Sequence, residues 1–297
     1  MGLVILSSRK YFWRMHTVFL LVMLCGTRLI DQRLAKAKLK VYTVPCLHDN
    51  YAWILQDVKT GQLAVVDTPS ARPIIAKFRQ LSDNLKHQPP VILNTHHHRD
   101  HTGGNQAIKS ELKSVIYGPK NDHIVGIDHK LVEGDVVRIG ESTCRVIDIP
   151  GHTKGHVGYV FDDPGLVFVG DTMFSHGCGA LFEGSFKQMW KSLTKIMELP
   201  PHYLVFCAHE YTEFNTLYGL QIFEDDAELA QVYRDVKQLR ERGEQTVPSI
   251  LEQELKTNPF LRCRLPEVQQ RFGKANAIDA FTHVREGKDV WGRGTAT

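Results

Sequence analysis

Short apolar runs that stop at polar turns recur through the middle of the chain: residues 52–55, 63–66, 91–94, 144–149, 166–169 and 203–206. Each predicts a buried strand. Between them, residues 73–85 place Ile74, Ile75, Phe78 and Leu81 on one helical face, and residues 104–112 suit a second helix. Residues 114–117 read as a further strand and 121–130 as a loop. After about Tyr211 the period changes. Leu229, Val232, Tyr233, Val236 and Leu239 recur at helical spacing, with Gly243 as a stop. Ser249 to Glu252 fits a capping box that opens another helix, which Pro259 ends. The pattern divides the chain into a mixed α/β body, residues 40–211, and a helical domain, residues 212–297.

Residues 1–39 stand apart. An apolar run from Thr17 to Cys25 follows Arg9, Lys10 and Arg14, and no acid precedes Asp31. The run is short of the twenty or so apolar residues that span a bilayer. A mitochondrial transit segment and a secretory signal both fit, and a membrane-associated anchor is a third reading. Eight basic residues against one acid give residues 1–40 a charge of +7, which leaves −4 for the rest of a chain of net charge +3. The basic balance therefore belongs to the leader. The body carries no sign of a polyanion-binding surface, which argues against nucleic-acid partners. Six cysteines, none in a C-x-x-C pair, do not make a disulfide framework in a body of this size. That favours a reducing compartment, mitochondrial or cytosolic, and Cys178 and Cys207 read as packing residues.

Four of the strand runs end in residues that ligate metals. The run 91–94 leads to Thr95-His96-His97-His98-Arg99-Asp100-His101 and the pair Gly103-Gly104. In extended chain alternate residues point the same way, so His96, His98 and Asp100 are expected to converge, with His101 following at the turn. The other three runs lead to His152, Asp171 and His209. A side chain just past a strand end is held by a rigid sheet while it faces open space. Imidazole and carboxylate without thiolate suit zinc, iron or manganese.

The spacing H-x-H-x-D-H at residues 96–101 resembles the signature of the metallo-β-lactamase superfamily. That resemblance implies an α/β fold, the metallo-β-lactamase αββα sandwich, and two metals. His96, His98 and His152 would hold one, Asp100, His101 and His209 the other, and Asp171 would bridge them together with a water. Asp100 and Asp171 are then the carboxylates closest to the chemistry. Asp67, at the end of the run 63–66, would support a ligand histidine from behind.

Further motifs narrow the family. Gly151-His152-Thr153-Lys154-Gly155-His156, Gly170-Asp171-Thr172-Met173-Phe174, Gly177-Cys178-Gly179, Glu183-Gly184, Ala208-His209-Glu210-Tyr211-Thr212, Thr246-Val247-Pro248-Ser249 and Asn258-Pro259-Phe260-Leu261-Arg262 look like glyoxalase II, the hydroxyacylglutathione hydrolases. The likeness covers residues 40–290. It implies hydrolysis of a glutathione thioester such as S-D-lactoylglutathione, the last step of methylglyoxal detoxification, to glutathione and D-lactate. A metal-activated hydroxide would attack the thioester carbonyl and the thiolate would leave. Tyr211, Asn215, Arg285 and Lys288 would grip the glutathione moiety, whose two carboxylates suit an arginine and a lysine. Without the resemblance the last two read as a solvated basic pair. The chain departs from the family at Ala180, commonly lysine or arginine, at Phe182, commonly tyrosine, and at Arg99, commonly tryptophan. Two rival readings follow: a mononuclear-iron sulfur dioxygenase of the same superfamily, and a weakly active paralogue serving as a membrane-associated binding protein.

Overall fold

The computed structural model describes residues 37–295, so all but the last three residues of the leader lie outside the described part. Two six-stranded sheets form the body. The first runs in chain order: β1 (Leu39–Cys46), β2 (Asn50–Asp57), β3 (Leu63–Val66), β4 (Val91–Leu93), β5 (Val115–Pro119) and β6 (His129–Leu131). Pairing is antiparallel as far as β3 and parallel beyond it. The second contains β7 (Val136–Ile139), β8 (Ser142–Asp148), β9 (Val157–Phe161), β10 (Leu166–Gly170), β13 (Leu204–Cys207) and β14 (Ser249–Ile250). Its order is β14-β13-β10-β9-β8-β7, and β11 (Met173–Phe174) with β12 (Gly177–Cys178) makes a separate hairpin.

The two-residue period of β2 explains the layering. Ala52 and Ile54 join Val65 and Ile92 in a core completed by Ile74, Ile75 and Phe78 of α1 (Ala71–Leu81) and Ile108 of α3 (Asn105–Leu112). Trp53 faces the other way. Its ring lies 5.0 Å from that of Phe206 in the second sheet, and its Nε1 donates to the Cys207 carbonyl at 2.9 Å. Alternate side chains thus glue one sheet to the outer helices and to the other sheet, the αββα sandwich. A short turn, α2 (Arg99–Thr102), follows β4. Beyond the hairpin α4 (Phe186–Met197) starts at a true capping box, Ser185 with Gln188, and ties back through Ser192 Oγ to the Pro150 carbonyl.

The helical part holds α5 (Thr212–Ile222), α6 (Ala227–Glu241), α7 (Leu251–Thr257), a 3₁₀ turn (Leu261–Arg264), α8 (Pro266–Arg271) and α9 (Ala277–Thr295). Leu229, Val232 and Val236 of α6 are buried as the periodicity predicts. The capping box predicted at Ser249 does not form. Ser249 and Ile250 instead pair antiparallel with Val205 and Leu204, which covers the edge of β13. Ser249 Oγ is left buried without a partner, and Glu252 pairs with Lys256 at 2.8 Å. The predicted loop 121–130 also ends differently: His129 and Lys130 belong to β6 and pair alongside β5. Among the described residues no helix is long and apolar enough to cross a membrane.

Candidate metal centre

The ends of β3, β4, β10 and β13, with the turn after β8, bring Asp67, His96, His98, Asp100, His101, His152, Asp171 and His209 to one edge of the sandwich. The ligand atoms form two groups. Those of His96, His98 and His152 lie within 4.8 Å of one another, as do those of Asp100, His101 and His209. Asp100 does not join His96 and His98, as extended-chain alternation predicts. The backbone turns into α2 at Arg99, and helical geometry sends Asp100 with His101 to the second group. Asp171 Oδ2 sits between the groups, 3.5 Å from His152 Nε2 and 3.4 Å from Nε2 of both His101 and His209.

The outer partners fix the ring tautomers. His152 Nδ1 donates to the Ala180 carbonyl at 2.8 Å, His101 Nδ1 to Asp67 at 2.9 Å and His209 Nδ1 to Asp49 at 2.8 Å. Thr95 Oγ1 donates to Asp67 and so accepts from His96 Nδ1, 3.0 Å away. In all four rings the outward nitrogen is taken up by its partner, which leaves Nε2 as the nitrogen turned toward the site. His98 Nδ1 stands 3.1 Å from His96 Nε2 and 3.0 Å from His152 Nε2. A proton on His98 Nδ1 can serve only one of these two contacts well, whereas a cation among the three nitrogens would satisfy all of them. His101 Nε2 and Asp171 Oδ1 are buried with no hydrogen-bond partner, so the second group and the carboxylate between the groups offer unused ligand atoms that suit a borderline or hard divalent ion.

Electrostatics separates the two groups. Burial, with neighbouring imidazoles, holds His96, His98 and His152 below the ordinary histidine range, so these ligands are neutral. Burial also opposes charge on His209, but the Asp171 and Asp100 carboxylates outweigh it and push the ring up to about 10. His101 is raised in the same way by Asp171 and Asp67 against its burial. Asp100 and Asp171 stay ionised despite burial because these imidazoles face them. The second group thus attracts positive charge, as protons or as a metal ion.

Backbone geometry holds Asp67 and Asp171 in place. Asp67 adopts φ +58, which Asp tolerates better than most residues, and its two oxygens accept from Thr95 N and Thr95 Oγ1 at 2.8 Å each. Gly170 adopts φ +49, and a Cβ there would lie 2.5 Å from Thr95 Oγ1 and 2.7 Å from His156 Nε2, so only glycine lets β10 turn into Asp171. Asp67→Asn should lower metal affinity by about 10–100-fold, the usual cost of losing such a supporting partner. Titration of the loaded protein with a competing chelator measures it, and unchanged affinity would remove Asp67 from the site.

Several supporting residues escape sequence reasoning. His156 is fully buried, stacks on His96 at 4.6 Å and accepts the Asp171 backbone N–H at 3.1 Å. Asn50 Nδ2 donates to Asp100 Oδ2 at 3.2 Å. Asp122, in a stretch predicted as plain loop, accepts from His97 N at 3.0 Å, Thr153 Oγ1 at 2.9 Å and Gly155 N at 2.8 Å. It joins the two loops that carry His96, His98 and His152. His97 itself belongs to neither group and lies near Asp122 and Glu183.

Of the predicted grip residues, Tyr211 stacks on His209 with ring centroids 4.7 Å apart. Asn215 is buried, donates to the Ser175 carbonyl at 3.0 Å and accepts from Lys288 Nζ. Arg285 donates to the Cys178 carbonyl at 2.8 Å and pairs with Asp289. Arg285 and Lys288 are only 4% and 7% exposed, which rules out a solvated basic pair. They back the strip 177–180, whose Ala180 carbonyl holds His152. Phe182 is 69% exposed and sets its ring edge-on against His152 and His98, at 5.1 and 5.6 Å.

Comparison with known proteins places this geometry. Residues 48–209 match the sequence model of the metallo-beta-lactamase superfamily, and residues 210–291 that of the hydroxyacylglutathione hydrolase C-terminus. The chain is 42% identical to a hydroxyacylglutathione hydrolase of Methylococcus capsulatus over 257 residues, 85% of this chain and 99% of the other. It is 43% identical to one of Rhodospirillum rubrum over 255 residues, 84% and 98% of the two chains. Among solved structures, ETHE1 from Myxococcus xanthus superposes with a TM-score of 0.60 at 20% identity, covering 83% of this chain and 89% of that one. The BLEG-1 B3 metallo-beta-lactamase superposes with a TM-score of 0.55 at 20% identity, covering 75% and 99%. These two likenesses concern the fold.

Proposed function

Since the chain belongs to the hydroxyacylglutathione hydrolase family of the metallo-β-lactamase superfamily, and is with it a metal-dependent thioester hydrolase, we propose that it hydrolyses a hydroxyacyl thioester of glutathione, with S-D-lactoylglutathione as reference substrate, at a centre of two metal ions. The observation that carries this reading is the position of Asp171 Oδ2, 3.4–3.5 Å from Nε2 atoms of both ligand groups. A carboxylate so placed would be within reach of an ion held by either group. His96, His98 and His152 would hold one ion, and Asp100, His101 and His209 the other. A pair of divalent ions, zinc, iron or manganese, would supply Lewis acidity toward the thioester carbonyl and a nucleophilic water near neutral pH.

The chain's own residues do the remainder. Asp49, Asp67, Thr95 and the Ala180 carbonyl each engage a ring Nδ1, so Nε2 is the nitrogen of each ring that would ligate, once the proton that His101 and His209 otherwise carry there gives way to a metal ion. Hydrolysis adds a water oxygen to the acyl carbon and breaks the C–S bond. The departing sulfur needs little help, since a thiol has a pKa near 8–9. Covalent catalysis by cysteine is disfavoured. Burial pushes the Cys178 thiol up to about 11 and the Cys207 thiol up to about 12, so neither is a thiolate nucleophile at neutral pH. Tyr211, Asn215, Arg285 and Lys288 would hold the glutathione half. The test is elemental analysis of the purified protein together with a hydrolysis assay on S-D-lactoylglutathione. Close to two metal equivalents with turnover supports the reading. A reproducible single equivalent after reconstitution overturns the binuclear centre and revives a mononuclear dioxygenase.

A further inference from the structure

A cavity of about 440 Å³ lies beside the second ligand group and shares Asp100 with it. Its wall includes Leu47, Pro69, Ser70 and Arg99. The Asp100 carboxylate lies 3.4 Å from Nε2 of both His101 and His209. The Arg99 guanidinium makes no ion pair and no side-chain hydrogen bond among the described residues, a state it shares with the exposed Arg72 and Arg138; what sets it apart is its place on the wall of this cavity beside Asp100. An unpaired guanidinium one residue from a ligand carboxylate is a recognition group for a planar anion, to which it can present two parallel N–H donors. Ser70, on the same wall, makes no side-chain cap to α1, which leaves its hydroxyl available as a further donor. Leu47 is 63% exposed and held at φ +51, and with Pro69 it gives the cavity an apolar side that suits a short run of methylenes.

We propose that this cavity is an acyl subsite and that Arg99 selects thioesters whose acyl group ends in a carboxylate, a short dicarboxylic acid joined to the thiol through one end. The inference rests on the thioester-hydrolase reading above and gives it a substrate class. Phe182 packs beside His98 and His152 of the first ligand group and Arg99 lines the cavity at Asp100 of the second, so a carbonyl held between the groups would have its acyl substituent on the Arg99 side. Hydrolysis there breaks the C–S bond, adds water's oxygen to the acyl carbon, and yields the thiol and a free dicarboxylate. Nothing else is consumed.

Glutathione carries carboxylates of its own, so the experiment must separate the two sources. The metal-loaded full chain is assayed with S-succinylglutathione and S-D-lactoylglutathione as wild type, Arg99→Gln and Arg99→Lys. Wild type should prefer the succinyl substrate in kcat/KM. Arg99→Gln should reduce that preference by about 10–100-fold, the range one charged contact allows, and Arg99→Lys should retain part of it. If Arg99→Gln lowers both substrates equally, Arg99 reads the thiol half and the acyl assignment is overturned. An unchanged ratio with unchanged rates overturns it as well. Calorimetric titration with succinate provides a readout free of turnover: binding to wild type that weakens in Arg99→Gln supports the subsite, and equal binding refutes it. Should neither thioester be hydrolysed, the thioester reading fails and the succinate titration alone decides the subsite.

Discussion

Asp171→Ala is expected to leave a folded protein with at most one metal equivalent and turnover lower by about 10³-fold or more. Lewis-acid stabilisation is worth several kcal/mol, and each 1.36 kcal/mol is about a decade in rate. Among the described residues Asp171 Oδ2 is the one carboxylate oxygen within 3.5 Å of Nε2 atoms from both ligand groups, so its loss strikes both. The backbone turn does not depend on this side chain, whose Oδ2 faces His101 and His209. Its Oδ1 has no partner, and the turn is held by the Asp171 backbone N–H on His156 and by the left-handed Gly170. Asp171→Asn serves as the companion variant. It keeps the shape and removes the charge, so a fall in metal content shared by both variants belongs to the charge. Elemental analysis and steady-state rates are compared with metal-free wild type, whose melting curve shows what metal loss alone does to stability. Near-normal rate and metal content in both variants would take Asp171 out of the centre.

The site was legible where its chemistry is local in sequence. A buried strand that ends in a ligand carries its own signal, and β4, β8, β10 and β13 each do so within a few residues. The order of these ligands carried the family, and with it the sandwich. What stayed hidden depends on contacts between distant segments. Asp122 looks like any turn aspartate until the loops bearing His97 and Thr153 close around it. Ser249 and Glu252 satisfy a capping pattern that the open edge of β13 overrides. Asp100 illustrates a failure of period: strand alternation was carried one residue past the point where the chain turns helical. Without the family resemblance, Arg285 and Lys288 of α9 read as a solvated basic pair. Their burial comes from Phe214 of α5 and from Phe260 before the 3₁₀ turn, whose rings lie 5.7 and 5.5 Å from Lys288 Nζ.

That burial makes Lys288 the position where stability and substrate grip are both expected to respond. Desolvation, with the Arg285 guanidinium beside it, pushes the Lys288 amine down to about 7. In an unfolded chain a lysine titrates near 10.4. Between these values the unfolded state carries a proton that the folded state lacks, so stability rises with pH across that window, by at most about 1.4 kcal/mol per pH unit. Below about pH 7 both states are protonated and the slope from this group vanishes. Lys288→Met keeps the bulk and removes the titration. Chemical unfolding at about pH 7.5 and about pH 9.5 should show wild type gaining roughly 2–3 kcal/mol more than the variant from this group. Equal slopes would mean that the buried amine keeps its proton at both pH values. The catalytic arm uses the same variant. A glutathione carboxylate arriving at Lys288 would favour the ammonium form, and its contact lies remote from the reacting carbonyl, so it should strengthen ground and transition states alike. Lys288→Met should then raise KM for S-D-lactoylglutathione by about 10–100-fold and change kcat by much less. Because the amine is half deprotonated near neutrality, wild-type KM should also climb as pH passes about 7, while the variant's KM stays flat over that range. If KM is unmoved by the substitution while the stability slope is lost, Lys288 is a packing residue whose hydrogen bond to Asn215 braces α9 against α5, and the glutathione half binds elsewhere.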